Sequence, residues 1–113
     1  MRYRIAGPAR DVVFCHCSRC RRTHGHFAAY TACERDHLEL VEQRGLRWYE
    51  SDGRRRGFCG TCGASVFWER ERSEAVSISA GTLDEPTGLR PSHHIFTDDA
   101  GDYYELADAL ERR

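Results

Sequence analysis

Residues 15–22 of the chain read Cys-His-Cys-Ser-Arg-Cys-Arg-Arg, and residues 58–63 read Phe-Cys-Gly-Thr-Cys-Gly. The first stretch places three thiols within six positions, and each stretch contains two cysteines separated by two residues. A Cys-x2-Cys spacing lets a short turn wrap both sulfurs around one metal ion, as in zinc knuckles. The two stretches therefore predict a fold of short strands that end in metal-binding turns.

The six cysteines of this 113-residue chain fit either a disulfide framework for export or a metal site inside the cell. The ligand-like spacing and the absence of an apolar signal-like run at the N-terminus favour the metal site and a cytoplasmic location. No apolar stretch approaches the ~20 residues that a spanning helix requires, so we expect no membrane association. The net charge of −1 gives no global basic field, so we expect no nucleic acid.

The length predicts a single domain over residues 1–113, with a modest core. Short apolar segments alternate with turn formers such as Asp52-Gly53, which predicts a mainly β protein built from small antiparallel sheets. The predicted strands are 2–6, 12–14, 27–33, 37–41, 46–50, 56–59, 64–69, 75–80 and 94–97.

Two helices are predicted. One short helix follows the cysteine triplet, over residues 18–24, and ends at Gly25. A second is predicted over residues 103–110 because four of its residues share one face at helical spacing. These four residues are Tyr103, Leu106, Ala107 and Leu110.

The cysteine spacing permits two kinds of zinc site. Cys17, Cys20, Cys59 and Cys62 can form one closed structural site with four thiolates. Cys15 has no role in that arrangement. Alternatively, Cys15, Cys17 and Cys20 hold the ion with a vacant fourth position, which is typical of catalytic zinc. Spacing alone leaves both alternatives open.

The donor set limits the chemistry of a three-cysteine site. Three thiolates give the zinc centre a negative charge, which weakens its power to acidify water, so hydrolysis is not the natural task. A thiol-bearing substrate is a better occupant of the open position, because zinc stabilises a deprotonated sulfur. The matching reaction makes or breaks a carbon–sulfur bond.

These residues resemble the glutathione-dependent formaldehyde-activating enzyme family, which are carbon–sulfur lyases with a zinc-bearing β-tent fold. The resemblance rests on the two cysteine stretches, on Gly81-Thr82-Leu83-Asp84, and on Pro91 followed by His94-Ile95. It extends from about residue 3 to about residue 110. The cysteine stretches are specific for this family, whereas the two later motifs would indicate little without them.

The resemblance implies two zinc ions (Zn²⁺). The catalytic ion would bind Cys15, Cys17 and Cys20, and a structural ion would bind Cys59 and Cys62 together with an N-terminal Cys-x-Cys-Gly. The sequence opens without that segment, which leaves three accounts. In the first account, the start of the sequence is assigned too far downstream, and the native protein carries the two N-terminal cysteines. In the second, Cys59 and Cys62 stay metal-free as a dithiol or disulfide. In the third, they join the triplet region in one site. One consequence of the missing pair would be a stable domain without activity.

The resemblance also implies the reaction and its small-molecule partner. The thiol of glutathione binds the triplet zinc and adds to formaldehyde, which gives S-hydroxymethylglutathione; the reverse is the lyase direction. Arg21 and Arg22 adjoin the triplet and are candidates to bind the carboxylates of glutathione. His94 is a further candidate substrate-binding residue. His16 and His24 are candidate proton shuttles near neutral pH.

Other functions compete with this one. A zinc ribbon without catalytic activity would bind a nucleic acid or a protein, and the Cys59–Cys62 pair could serve a thiol redox protein. Arg54, Arg55 and Arg56 could bind glutathione or a nucleic-acid phosphate, or they could form a solvated hairpin face. Cys33 has no partner at ligand spacing and is expected to be a small buried residue. The oligomeric state does not follow from the sequence.

Overall fold

The computed structural model describes residues 1–113 and contains ten strands, one α-helix and three short 3-10 helices. The strands are β1 (Arg2–Ile5), β2 (Val12–Cys15), β3 (Ala28–Glu34), β4 (Leu38–Glu42), β5 (Leu46–Ser51), β6 (Arg54–Cys59), β7 (Ser65–Arg70), β8 (Ala75–Ser79), β9 (Pro91–Ile95) and β10 (Glu111–Arg112). Helix α1 spans Ser18–His24, and the 3-10 helices span Arg35–His37, Ala80–Thr82 and Thr97–Asp99.

Eight strands form one sheet in the order β10-β9-β2-β3-β8-β7-β6-β5, and β1 pairs with β4 in a separate two-stranded sheet. Most neighbours are antiparallel, which confirms the predicted mainly β fold. Strand β9 is parallel to both β2 and β10. A parallel pair needs a long connection, and most of the chain separates β2 from β9. Local patterns could not predict that pairing.

Each predicted strand is present, with bounds that differ by at most three residues. The largest differences occur at β6 and β9, which begin earlier than predicted. Strand β6 begins at Arg54 because Asp52 and Gly53 form the two-residue turn of a hairpin, with φ angles of 53° and 70°. Two successive positive φ angles match the twist of the paired strands.

Helix α1 has the predicted bounds and defined caps at both ends. The Cys17 sulfur accepts a hydrogen bond from the Cys20 backbone N–H at 3.4 Å. Gly25 adopts a left-handed conformation (φ 78°), and its N–H donates to the Arg21 carbonyl at 2.8 Å. The helix is seven residues long, and no helix of the chain has the length and hydropathy needed to cross a membrane.

The predicted helix over residues 103–110 is absent, and this prediction was wrong. The segment lies irregularly along the sheet edge because its side chains make specific contacts elsewhere. Tyr104 hydrogen-bonds His16, and Asp108 hydrogen-bonds His94. The Arg112 side chain donates to the carbonyls of Leu106 and Asp108. These carbonyls therefore have hydrogen-bond partners without the backbone bonds of a helix. Tertiary contacts therefore override the helical spacing.

The apolar core has two clusters. The larger contains Cys33, Val66, Phe67, Val76 and Ile78, all nearly inaccessible to solvent, which confirms Cys33 as a small buried residue. The smaller contains Cys15, Cys20, Ala28 and Tyr30, with Trp68 packed against it. The second cluster places two cysteines of the triplet inside the protein.

We predict that Ile78→Ala lowers the free energy of unfolding by about 2–5 kcal/mol, because it opens a cavity where the side chain is fully buried. Urea unfolding of the purified chain measures the change. Val41→Ala removes an aliphatic side chain that is 57% exposed, and we expect its effect to stay within about 0.5 kcal/mol. Equal effects of the two substitutions would contradict this location of the core.

Candidate metal centre

The sulfur atoms of Cys15, Cys17 and Cys20 lie within 4.8 Å of one another, and no other potential metal ligand belongs to the group. Cys15 ends β2, Cys17 caps α1, and Cys20 lies in the first turn of that helix. Cys15 and Cys20 are buried, whereas Cys17 is half-buried and is the member most accessible to solvent. The predicted triplet is therefore assembled by the fold.

Backbone pairing fixes the start of the triplet. Cys15 pairs with Ala28 of β3 on one side and with Ile95 of β9 on the other. The His16 N–H then donates to the Ile95 carbonyl at 3.0 Å. The chain turns directly into α1, so the positions of all three sulfurs depend on the end of a central strand and the first turn of a helix.

The triplet favours a thiolate at neutral pH. The pKa of Cys20 is lowered to about 6 by a hydrogen bond from the Cys15 thiol, by Cys17 and by the Arg56 guanidinium. The pKa of Cys15 is raised, chiefly by that same hydrogen bond and by burial. Cys15 thus acts as the donor to a Cys20 thiolate. Metal binding to such a site displaces the remaining thiol protons, and soft thiolate donors suit zinc.

Arg56 connects the triplet to a chain of polar groups. Its Nη2 lies 3.8 Å from the Cys20 sulfur, and its Nη1 donates to the Tyr30 hydroxyl at 3.2 Å. The Tyr30 hydroxyl lies 2.8 Å from Nε2 of His24. Burial and the nearby Arg56 charge lower the pKa of His24. The hydroxyl therefore accepts from Arg56 and donates to a neutral His24 ring.

A groove of about 580 Å³ lies beside the triplet, and we call it the arginine groove. It is bounded by α1 on one side and by β5, β6 and β7 on the other. Its lining residues are Arg19, Arg22, Thr23, Tyr49, Ser51, Arg54, Arg56, Phe58, Gly63, Ser65 and Trp68. Arg56 belongs both to this groove and to the surroundings of Cys20, so the groove and the triplet are adjacent.

His16 and His94 lie in a buried hydrogen-bond chain away from this groove. The His94 Nε2 lies 3.0 Å from the Asp108 carboxylate, and its Nδ1 lies 2.8 Å from Nε2 of His16. The Nδ1 of His16 lies 2.6 Å from the Tyr104 hydroxyl. The carboxylate accepts only, so each ring donates from Nε2 and accepts at Nδ1, and Tyr104 donates its hydroxyl proton. A substrate-binding role for His94 stays a prediction.

The two arginines predicted from their position next to the triplet differ in their contacts. Arg21 donates from Nε to the Asp99 carbonyl at 3.1 Å, which ties α1 to the 3-10 helix Thr97–Asp99. Arg22 lines the arginine groove, and its side chain makes no hydrogen bond or ion pair within the chain. Sequence reasoning missed Tyr30, because nothing in the local pattern of β3 distinguishes its hydroxyl from that of any half-buried tyrosine.

Cys59 and Cys62 form a separate turn and do not join the triplet. Backbone N–H groups of Cys62 and Thr61 point at the Cys59 sulfur and lower its pKa to about 7. Gly63, with a φ of 80°, donates to the Cys59 carbonyl at 2.6 Å and closes the turn. The closed site of four cysteines is therefore not assembled, whereas the knuckle itself is preformed.

A family model described as glutathione-dependent formaldehyde-activating enzyme matches residues 1–99. The chain belongs to this family. A crystal structure of a Rhodobacter sphaeroides protein, a structural-genomics target, is similar to it with a TM-score of 0.56 and 26% sequence identity, over 72% of each chain. A comparison with curated proteins finds no match.

The region that matches the glutathione-dependent formaldehyde-activating family includes the triplet, the Cys59–Cys62 knuckle and His94. It ends before Tyr104 and Asp108, the two residues that hold the outer ends of the buried histidine chain. Family membership supports a site that acts on glutathione and formaldehyde, and the cysteine triplet is compatible with a metal ion.

We predict that the metal-free chain carries a triplet thiolate whose pH midpoint is near 6, and that Arg56→Gln moves this midpoint upward by roughly one pH unit. A nearby positive charge favours the thiolate, so its removal favours the thiol. Ultraviolet titration of thiolate absorbance, in a Cys59→Ser background, measures the change. Arg44→Gln, at an arginine 91% exposed, is the charge-matched control. An unchanged midpoint in Arg56→Gln would contradict this electrostatic role.

Proposed function

We propose that the chain is a zinc-dependent carbon–sulfur lyase that acts on an adduct of glutathione, similar to an S-hydroxymethylglutathione synthase. The observation that carries the proposal is the group of three cysteine sulfurs without a fourth protein ligand. Three protein ligands leave one position for a substrate atom. A zinc ribbon without catalytic activity would need a fourth ligand in the group. Family membership supports glutathione and formaldehyde as the substrates.

Zinc held by Cys15, Cys17 and Cys20 would lower the pKa of a bound thiol and keep its sulfur reactive. In the synthase direction, the sulfur of glutathione forms a bond to the carbon of formaldehyde. The π electrons of the carbonyl move to its oxygen, and the thiol proton ends on that oxygen. The product is S-hydroxymethylglutathione, and the lyase direction reverses each change.

The residues of the chain favour His24 as the group that exchanges the thiol proton. Both ring nitrogens of His16 are occupied by Tyr104 and His94, and the ring is fully buried. His24 is half-buried and has a pKa lowered by burial, so its ring is neutral. Its Nε2 accepts from the Tyr30 hydroxyl, so a proton would reach that nitrogen through Tyr30. Arg56 would bring its positive charge to the thiolates and offset their repulsion.

A second metal at the Cys59–Cys62 knuckle also belongs to this proposal. The knuckle is supported by its preformed turn and by the N–H groups aimed at Cys59. Met1, the residue before β1, lies beside Gly45 together with the Cys59 sulfur. That is the side from which the N-terminal cysteines of the family would approach.

All six cysteines are free thiols, which supports a reducing compartment such as the cytoplasm.

We predict that glutathione changes the visible spectrum of the cobalt-substituted protein, because its sulfur enters the open position. Cys17→Ser should abolish the cobalt site or its response, because it removes one of three ligands. Cys33→Ser is the matched control, since Cys33 lies in the other core cluster. A wild-type spectrum that is unaffected by saturating glutathione would show that the position is closed, and the proposal would then be wrong.

We also predict that the zinc protein accelerates formation of S-hydroxymethylglutathione over the spontaneous reaction, as followed by NMR with isotope-labelled formaldehyde. His24→Gln should lower the rate by about tenfold or more while the cobalt spectrum still responds to glutathione. Arg44→Gln should have no effect on the rate. Full activity of His24→Gln would remove His24 from the proton transfer and leave the metal site untouched.

A further inference from the structure

The arginine groove has a local charge that the composition of the chain conceals. The whole chain has a net charge of −1, yet the groove is lined by four arginines and by no aspartate or glutamate. Guanidinium groups concentrated in a concave surface attract anions and can bind carboxylates through paired hydrogen bonds. The charge of this groove therefore points to an anionic ligand.

The arginines lie on two facing walls. Arg19 and Arg22 are three residues apart on α1 and share one face of that helix. Arg54 and Arg56 are two residues apart on β6 and point to the same side of the sheet. A ligand between the walls would therefore meet positive charge at both sides.

Most of this charge is not neutralised within the chain. Arg22 has no partner, and Arg54 donates only to the Asp52 carbonyl, at 3.4 Å. Arg19 pairs with Asp52 at 3.0 Å, but both side chains are more than half exposed, and such pairs are weak. The guanidinium groups of Arg22 and Arg54 are therefore free to bind a ligand.

The groove leads to the metal centre. Arg56 lines the groove and also contacts Cys20 at 3.8 Å. Trp68 lines the groove as well and packs against the cluster that contains Cys15 and Cys20. A thiol ligand that occupies the groove can thus place its sulfur near the triplet while its charged ends remain between the arginine walls.

We propose that the arginine groove binds the carboxylates of the thiol substrate, with Arg22 on the helix wall and Arg54 on the strand wall as the specificity-determining residues. This inference rests on the proposed function, because it takes the triplet as the place where the thiol binds. The substrate class is a short peptide thiol with two carboxylates. Neutral thiols gain nothing from the groove and bind through their sulfur alone.

The test compares glutathione with the neutral thiol mercaptoethanol on the cobalt-substituted protein, through the spectral change at the metal. Arg22→Gln and Arg54→Gln should each raise the half-saturating concentration of glutathione by about tenfold, the loss expected for one charge-assisted hydrogen bond. Neither should change that of mercaptoethanol. Arg44→Gln should change neither value. Added salt should weaken glutathione binding and leave mercaptoethanol binding unchanged.

A competition experiment separates this inference from the proposed function. S-methylglutathione has no free thiol, and we expect it to compete with glutathione for the wild-type protein. Its inhibition constant should be about tenfold higher for the Arg54→Gln variant. If both thiols change the spectrum but Arg22→Gln and Arg54→Gln bind glutathione normally, the groove inference is wrong and the open metal position stands.

If neither thiol changes the spectrum, the proposed function fails. S-methylglutathione binding measured directly by calorimetry, if it still depends on Arg54, would then show a carboxylate site that is independent of the proposed function. Displacement of S-methylglutathione by a short single-stranded oligonucleotide at lower concentration than glutathione would overturn the inference in favour of a nucleic-acid groove.

Discussion

The structure depends on how the Cys15-His16-Cys17 segment leaves the central sheet. Strand β2 is paired on both sides, so its last residue cannot move without breaking hydrogen bonds to β3 and β9. Side chains alternate along an extended segment, which directs Cys15 toward α1 and His16 to the opposite side. His16 is fully buried there, bonded to His94 and Tyr104. One short segment thus anchors both the three-cysteine group and the C-terminal part of the chain.

The same alternation sorts the three consecutive arginines of β6. Arg55 faces the side of the sheet that carries Trp48, where it pairs with Glu69 and lies 3.8 Å above the Trp48 ring. Glu69 is buried and is also paired with Arg35, so its charge is compensated. Arg54 and Arg56 face the arginine groove. A run of like charges therefore divides into one residue that pairs with Glu69 and two residues that line the groove.

The sequence predicted those features that local chemistry controls. Gly25 ends α1 in a left-handed conformation, Asp52 and Gly53 form the hairpin turn, and the triplet spacing alone placed three sulfurs together. Features that join distant parts of the chain were not predictable. The C-terminal segment has helical spacing, yet Tyr104 is held by His16, 88 residues away, and Asp108 is held by His94, 14 residues away. The parallel pairing of β9 and the contact between Arg56 and Cys20 have the same origin.

Charge balance explains why the thiolates and the arginines occur side by side. A divalent ion bound by three thiolates carries one net negative charge, and an anionic sulfur in the fourth position would add another. Such a centre repels a substrate that also carries carboxylates, and low dielectric strengthens that repulsion. Arg56, between Cys20 and Tyr30, offsets charge at the sulfurs themselves. The arginines of the groove offset charge farther out, where the carboxylates would lie. A chain that is almost neutral overall thus carries a local excess of positive charge beside its three-cysteine group.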